Sequence, residues 1–88
     1  MATTYTDQPD SAVAAFTRQR LAALHMDSRQ LVEATGLRRE HIWHILNGSR
    51  LPVFRKTQEA LAAALHVDVE AFHALVKQEL DRRLAART

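Results

Sequence analysis

Five basic side chains, Arg38, Arg39, Arg50, Arg55 and Lys56, fall in a stretch with a single acid, Glu40, and His41, Trp43 and His44 are set among them. Guanidinium and ammonium groups at that density make a concentrated positive field of the kind that anionic partners use. The flanks carry no such excess. Residues 1–37 hold three arginines against four acids, and residues 57–88 hold four basic against five acidic side chains. The net charge of +2 is therefore an excess at the centre of the chain. A solvated charged surface would give the same count, so the order of residues inside the stretch has to decide. His41-x-x-His44 puts two imidazoles on one helix face. Only Glu40 offers a third ligand nearby and the chain has no cysteine, whereas a structural zinc takes four ligands. No metal or cofactor is expected. Catalysis is not expected either: no nucleophile–base arrangement is present, and 88 residues leave little room for both a core and an enclosed pocket.

The elements that must position these groups read as helices. Two glycines and two prolines are too few for an all-β fold with its many turns. Zero cysteines exclude a disulfide scaffold and fit a reducing cytoplasm. The longest apolar run, Ala60 to Leu65, is far short of a membrane span. Residues 1–10 are polar and acidic, and are expected to form a flexible tail rather than a signal peptide. Residues 11–88 then form one all-α domain of five helices. The first begins at Asp10 or Ser11 and ends near His25, with Val13, Phe16, Leu21 and Leu24 at helical spacing. Asp27 followed by Gln30 resembles a capping box and opens a second helix through Ala34. Gly36 suits a left-handed turn residue. A third helix spans 38–47, with Ile42, Ile45 and Leu46 inward, and Asn47-Gly48-Ser49 stops it. After a loop containing Pro52, a fourth helix covers about 56–66. Asp68 caps a fifth, about 69–86, that carries Phe72, Leu75, Val76, Leu80 and Leu84. The histidines at 25, 66 and 73 read as helix-end or surface residues.

Residues 28–47 have helix-turn-helix spacing. Leu31 and Val32 face inward, Gly36 makes the tight turn, Leu37 plugs the corner, and Ile42 and Ile45 seat the second helix on the first. So short a turn makes the second helix project. Its outer face is Arg39, Glu40, Trp43 and His44, with Arg38 and His41 beside them, and such a helix suits the ~12 Å wide major groove of DNA. With these residues the chain resembles the lambda-repressor-like (Cro/repressor, XRE-type) family of helix-turn-helix domains over about residues 18–75. Asn47-Gly48-Ser49-Arg50 with Pro52 looks like the family's loop after the third helix. Leu61-Ala62 through Val69 looks like its following helix junction, with His66 where glycine is usual. The chain departs from the pattern at Ser28, where glutamine is frequent, at Val32, where alanine is frequent, and at Arg38, where a serine or threonine cap is frequent. Leu21 and Leu46 stand where many members pair an arginine with a glutamate. Joint replacement of a buried ion pair by packed apolar groups costs little.

The resemblance implies a sequence-specific double-stranded-DNA-binding regulator, most simply a repressor. Arg39, Glu40 and His44 then sit at base-reading positions. Arg39 can donate a bidentate pair to guanine, Glu40 can accept from cytosine N4, and His44 can do either. Trp43 presses on a thymine methyl or a sugar, or else is a partial core residue. Phosphate contacts are expected from Ser28, Arg38, His41, Asn47, Arg50, Arg55 and Lys56; for Arg55 and Lys56 the alternative is a merely solvated helix start. Val76, Leu80 and Leu84 are expected to form a homodimer interface that places two recognition helices on a palindromic operator, the alternative being a helix end that folds back or frays. A reading from another class is a protein-interaction module, such as an antitoxin or a phage protein that engages a host factor through Trp43 and the end of helix five.

Overall fold

Each helix starts and stops where local chemistry satisfies its end groups. The computed structural model describes residues 11–87 and consists of α1 (Ala12–Ala23), α2 (Ser28–Thr35), α3 (Arg39–Asn47), α4 (Arg55–Leu65) and α5 (Val69–Arg87). The chain is all-α, and no strand occurs among the described residues. The expected tail at residues 1–10 lies outside them. Ser11 caps α1 by accepting from the Ala14 N–H at 3.1 Å. Asp27 and Gln30 form the expected capping box, with reciprocal bonds of 2.8 and 2.9 Å. Asp68 caps α5 through the Ala71 N–H at 2.9 Å.

Two helix ends rest on histidines in the left-handed region, His25 at φ 53° and His66 at φ 58°. Both ends are closed in the same way. Met26 N–H donates to Leu21 O and His25 N–H to Ala22 O, while Val67 N–H donates to Ala62 O and His66 N–H to Ala63 O. These are Schellman closures, which ordinarily use glycine because a Cβ is strained there. The closure ends α1 two residues before His25.

The core joins all five helices. Val13 and Leu21 of α1, Leu31 of α2, Ile42, Ile45 and Leu46 of α3, Leu61 and Leu65 of α4, and Phe72 and Val76 of α5 form one buried cluster. α3 packs on α1 and α2, and α5 packs on α4 and α1. Leu21 and Leu46 are both buried in this cluster. The sequence reading places Val76 on a dimer face; this is corrected, because Val76 is 2 % exposed and belongs to the chain's own core. The reason is geometric. At about 100° per residue, Glu79 and Arg83 lie within about 20° of Phe72 around the helix, while Leu80 and Leu84 lie about 80° and 120° away. The inward stripe of α5 therefore continues through a charged pair. Leu80 is half-buried and Leu84 is exposed.

That pair is the polar centre of the fold. The Glu79 carboxylate is buried. Its Oε1 accepts from the Ser11 hydroxyl at 3.0 Å and from the Val13 N–H at 2.8 Å, and its Oε2 accepts from the Arg83 guanidinium. Burial alone would raise the carboxyl pKa. The bonds from Val13, Ser11 and Arg83 outweigh it and hold the group below the ordinary glutamate value. A depressed native pKa stabilises above the unfolded value, about 4.5, and that stabilisation is lost as pH falls through the native value. Glu79→Ala should cost about 3 kcal/mol in urea denaturation, since it strands two donors and a half-buried cation. The parent's urea midpoint should fall between about pH 6 and pH 3, and Glu79→Gln should start lower and lose less over that range. His66→Gly should raise stability by about 0.5–1 kcal/mol by thermal denaturation, because it relieves the left-handed strain.

Candidate nucleic-acid interface

The turn between α2 and α3 is built from residues local to it. Gly36 has φ 73°, and a Cβ there would meet nothing within 4 Å, so glycine serves the backbone angle and not a close approach. The Thr35 hydroxyl donates to Leu31 O at 2.8 Å and accepts from the Leu37 N–H at 3.2 Å, bracing the turn from both sides. Leu37 packs against the core, as does Val32. Arg38 precedes α3 with no side-chain capping bond.

α3 is held along its inner face and at its C-terminal end. Ile42, Ile45 and Leu46 are each no more than 2 % exposed. The end carbonyls, which carry partial negative charge, find donors from three directions. Arg18 of α1 donates to Leu46 O, and Arg83 of α5 donates to Gly48 O at 2.6 Å. Gly48 N–H reaches Ile45 O and Arg50 N–H reaches His44 O, each at 3.3 Å. Arg83 thus links the Glu79 centre directly to the end of α3.

The outer face is open. Arg38, Arg39 and Glu40 are exposed, Trp43 is 41 % exposed, and His41 and His44 are half-buried. The Trp43 and His44 rings meet edge-on with centroids 5.3 Å apart. Arg39, Glu40, Trp43 and His44 line a shallow concavity of about 360 Å³. A groove of about 580 Å³ runs beside it, between Ser28, Val32 and Glu33 of α2 and Arg39, Ile42 and Trp43 of α3. The structure therefore brings together all four residues expected to read bases. Trp43 contributes to the rim and not to the buried core.

The residues expected to meet phosphate separate into groups. Arg38, Arg50 and Lys56 are exposed and make no ion pair among the described residues. Arg55 is held by Glu59 at 3.3 Å and by Glu70 of α5. The hydrogen bond that Arg55 donates to Glu70 chiefly raises the Arg55 pKa, and the same bond lowers that of Glu70. The charge of Arg55 is thus already met within the protein, leaving Lys56 as the freer cation. His41 is held below the ordinary histidine value by burial first, and then by the nearby Arg50 guanidinium and the neighbouring His44. It is therefore uncharged at neutral pH. Ser28 is exposed at the start of α2, where the Asp27 carboxylate takes the Gln30 N–H.

Asn47 is a correction. Its side chain is fully buried, so it cannot reach a phosphate. Asn47 Oδ1 instead accepts from the Ser49 N–H at 2.8 Å, forming an Asx turn that shapes the exit from α3, while Nδ2 has no partner among the described residues. Gln58 then sets the following loop. It is buried; Nε2 donates to Pro52 O at 3.0 Å, and Oε1 accepts from His73 Nδ1 of α5 at 2.8 Å. Arg18, Gln58, Glu79 and Arg83 are the positioning residues that the sequence reading lacks. The signal available for two of them is the i, i+4 pair Glu79–Arg83, which falls on the apolar stripe of α5.

Among the described residues no group of three or more His, Asp or Glu side chains comes together as a metal site. No helix there is long and apolar enough to cross a membrane. Compared with protein-family models, curated proteins and solved structures, the chain matches none. Gln58→Met should lower stability by about 1–3 kcal/mol, because it leaves Pro52 O and His73 without partners. Limited trypsin digestion should then cut after Arg50 faster than the change in global stability accounts for.

Proposed function

We propose that the chain is a sequence-specific double-stranded-DNA-binding regulator of the lambda-repressor-like type, most simply a repressor, which inserts α3 in the major groove. The observation that carries this reading is the asymmetry of α3. Its inner face and C-terminal end are fixed by the core, Arg18 and Arg83, while Arg39, Glu40, Trp43 and His44 stand together on an open face. Arg39 and Glu40 make no ion pair among the described residues, so both can turn to base edges at no loss to the fold. Arg38, Arg50 and Lys56 supply phosphate contacts beside that face. Two copies on a palindrome, with recognition helices about 34 Å apart, suit a closed twofold arrangement. Leu80 and Leu84 are the side chains available to such an interface, and Leu84 is 51 % exposed.

Selection of bound sequences from random duplex DNA tests the proposal. A recovered palindromic site bound with a steep salt dependence supports it. Absence of any selective duplex binding at low salt overturns it in favour of a protein partner. On the recovered site, Arg39→Ala should cost about 1–3 kcal/mol and relax one base preference. Arg50→Ala should weaken all sequences alike and reduce the salt slope by about 0.9. His41→Ala should leave that slope unchanged at about pH 7.5, since an uncharged imidazole displaces no counterion. Asp27→Asn keeps the cap but removes a negative charge beside the first turn of α2, and should tighten binding to every duplex. Trp43 is the only tryptophan in the chain, so its fluorescence should change on binding.

A further inference from the structure

We propose that His44 reads an exocyclic amino group in the major groove, adenine N6 or cytosine N4, because Ser49 holds its imidazole with Nδ1 protonated and Nε2 bare. This rests on the DNA-binding reading above and specifies which base chemistry one of its contacts takes. Ser49 Oγ lies 2.8 Å from His44 Nδ1 and 3.4 Å from the His44 carbonyl oxygen. A hydroxyl has one proton to give, and a carbonyl oxygen can only accept. Both contacts are hydrogen bonds only when the Ser49 proton goes to the carbonyl and its lone pair receives the Nδ1–H. In the neutral ring the lone pair then sits on Nε2.

Ser49 is itself fixed. Its N–H donates to the buried Asn47 Oδ1, and Gly48 makes the left-handed turn between them at φ 82°. The edge-on contact with Trp43 also limits the ring. Nε2 makes no hydrogen bond among the described residues, and the ring lines the open concavity with Arg39 and Glu40. A bare nitrogen there is repelled by the guanine O6 and N7 acceptors and by thymine O4, and attracted to amino hydrogens. Arg39, which only donates, has the opposite preference, so α3 would present a donor and an acceptor in a fixed order. Ser49 acts through His44 and is a positioning residue.

Nitrogen-15 NMR of the free full chain at about pH 8 reads the tautomer directly. Nδ1–H is expected for His44, with Ser49→Ala shifting the population towards Nε2–H and Ser49→Thr restoring it. On the selected duplex, each of the four bases is then placed in turn at every position. One position should favour adenine or cytosine by about tenfold, the worth of one net hydrogen bond. That preference should vanish in His44→Ala, weaken in Ser49→Ala and return in Ser49→Thr, with the other positions unchanged. An Nε2–H tautomer in the parent, a His44-dependent preference for guanine or thymine, or selective binding indifferent to His44→Ala overturns this inference and leaves the DNA-binding reading standing. Failure of the parent to select any duplex overturns both.

Discussion

The last carbonyls of α3 are the constraint from which the rest of the architecture follows. A nine-residue helix is too short to be stable by itself, and its C-terminal end carries unpaired acceptors with partial negative charge. Here those acceptors are met by guanidinium groups from the first and last helices, Arg18 and Arg83. Arg83 can serve only because Glu79 holds it, and Glu79 is held in turn by Ser11 and Val13 at the start of α1. The length of α5 therefore has a structural purpose: its third turn carries Glu79 and its fourth carries Arg83 to the end of α3. Arg18 of the first helix and Arg83 of the last thus meet at the end of the helix whose outer face stays free.

This arrangement suits a helix that must be positioned without being covered. Apolar burial fixes the rotation of α3 about its axis through Ile42, Ile45 and Leu46, and the arginines fix its end. The charged outer residues then contribute almost nothing to folding and remain available to a partner. The loop that follows is tied down by different means. The Asx turn of Asn47 and the three bonds of Gln58 hold it against α4 and α5, and Ser49 stays beside His44 as a result. Rigidity on both sides of a recognition surface lowers the ordering cost of binding.

Features that depend on neighbours within a few residues were legible in the sequence. The Asp27–Gln30 box, the turn at Gly36 and the Asp68 cap are written in residue types at fixed short spacing, and each is present. His66 reads from the sequence as a helix-end residue where the resembled pattern has glycine, and its left-handed backbone shows why the position is special. The inward residues of α3 followed from helical periodicity. Side chains that act across the fold were not legible. Glu79 and Arg83 are charged, and charge ordinarily marks a solvated face; only their register with Phe72 and Val76 separates them from Lys77 or Asp81. An every-fourth-residue pattern drew attention to Leu80 and Leu84 instead, although that pattern drifts off the core by about 40° per step. Asn47 shows the same difficulty at shorter range, since a polar residue at a helix end can face a phosphate or close its own turn, and composition does not distinguish the two.

The central claim is that α3 enters the major groove with its outer face against base edges. Methylation interference on the selected duplex tests it most directly, because methyl groups on guanine N7 lie in the major groove and those on adenine N3 lie in the minor groove. The account predicts that methylation of one or more guanines within each half-site blocks binding at N7, with adenine N3 methylation there tolerated. Interference confined to adenine N3, or binding that survives methylation at every guanine of the site, would contradict it.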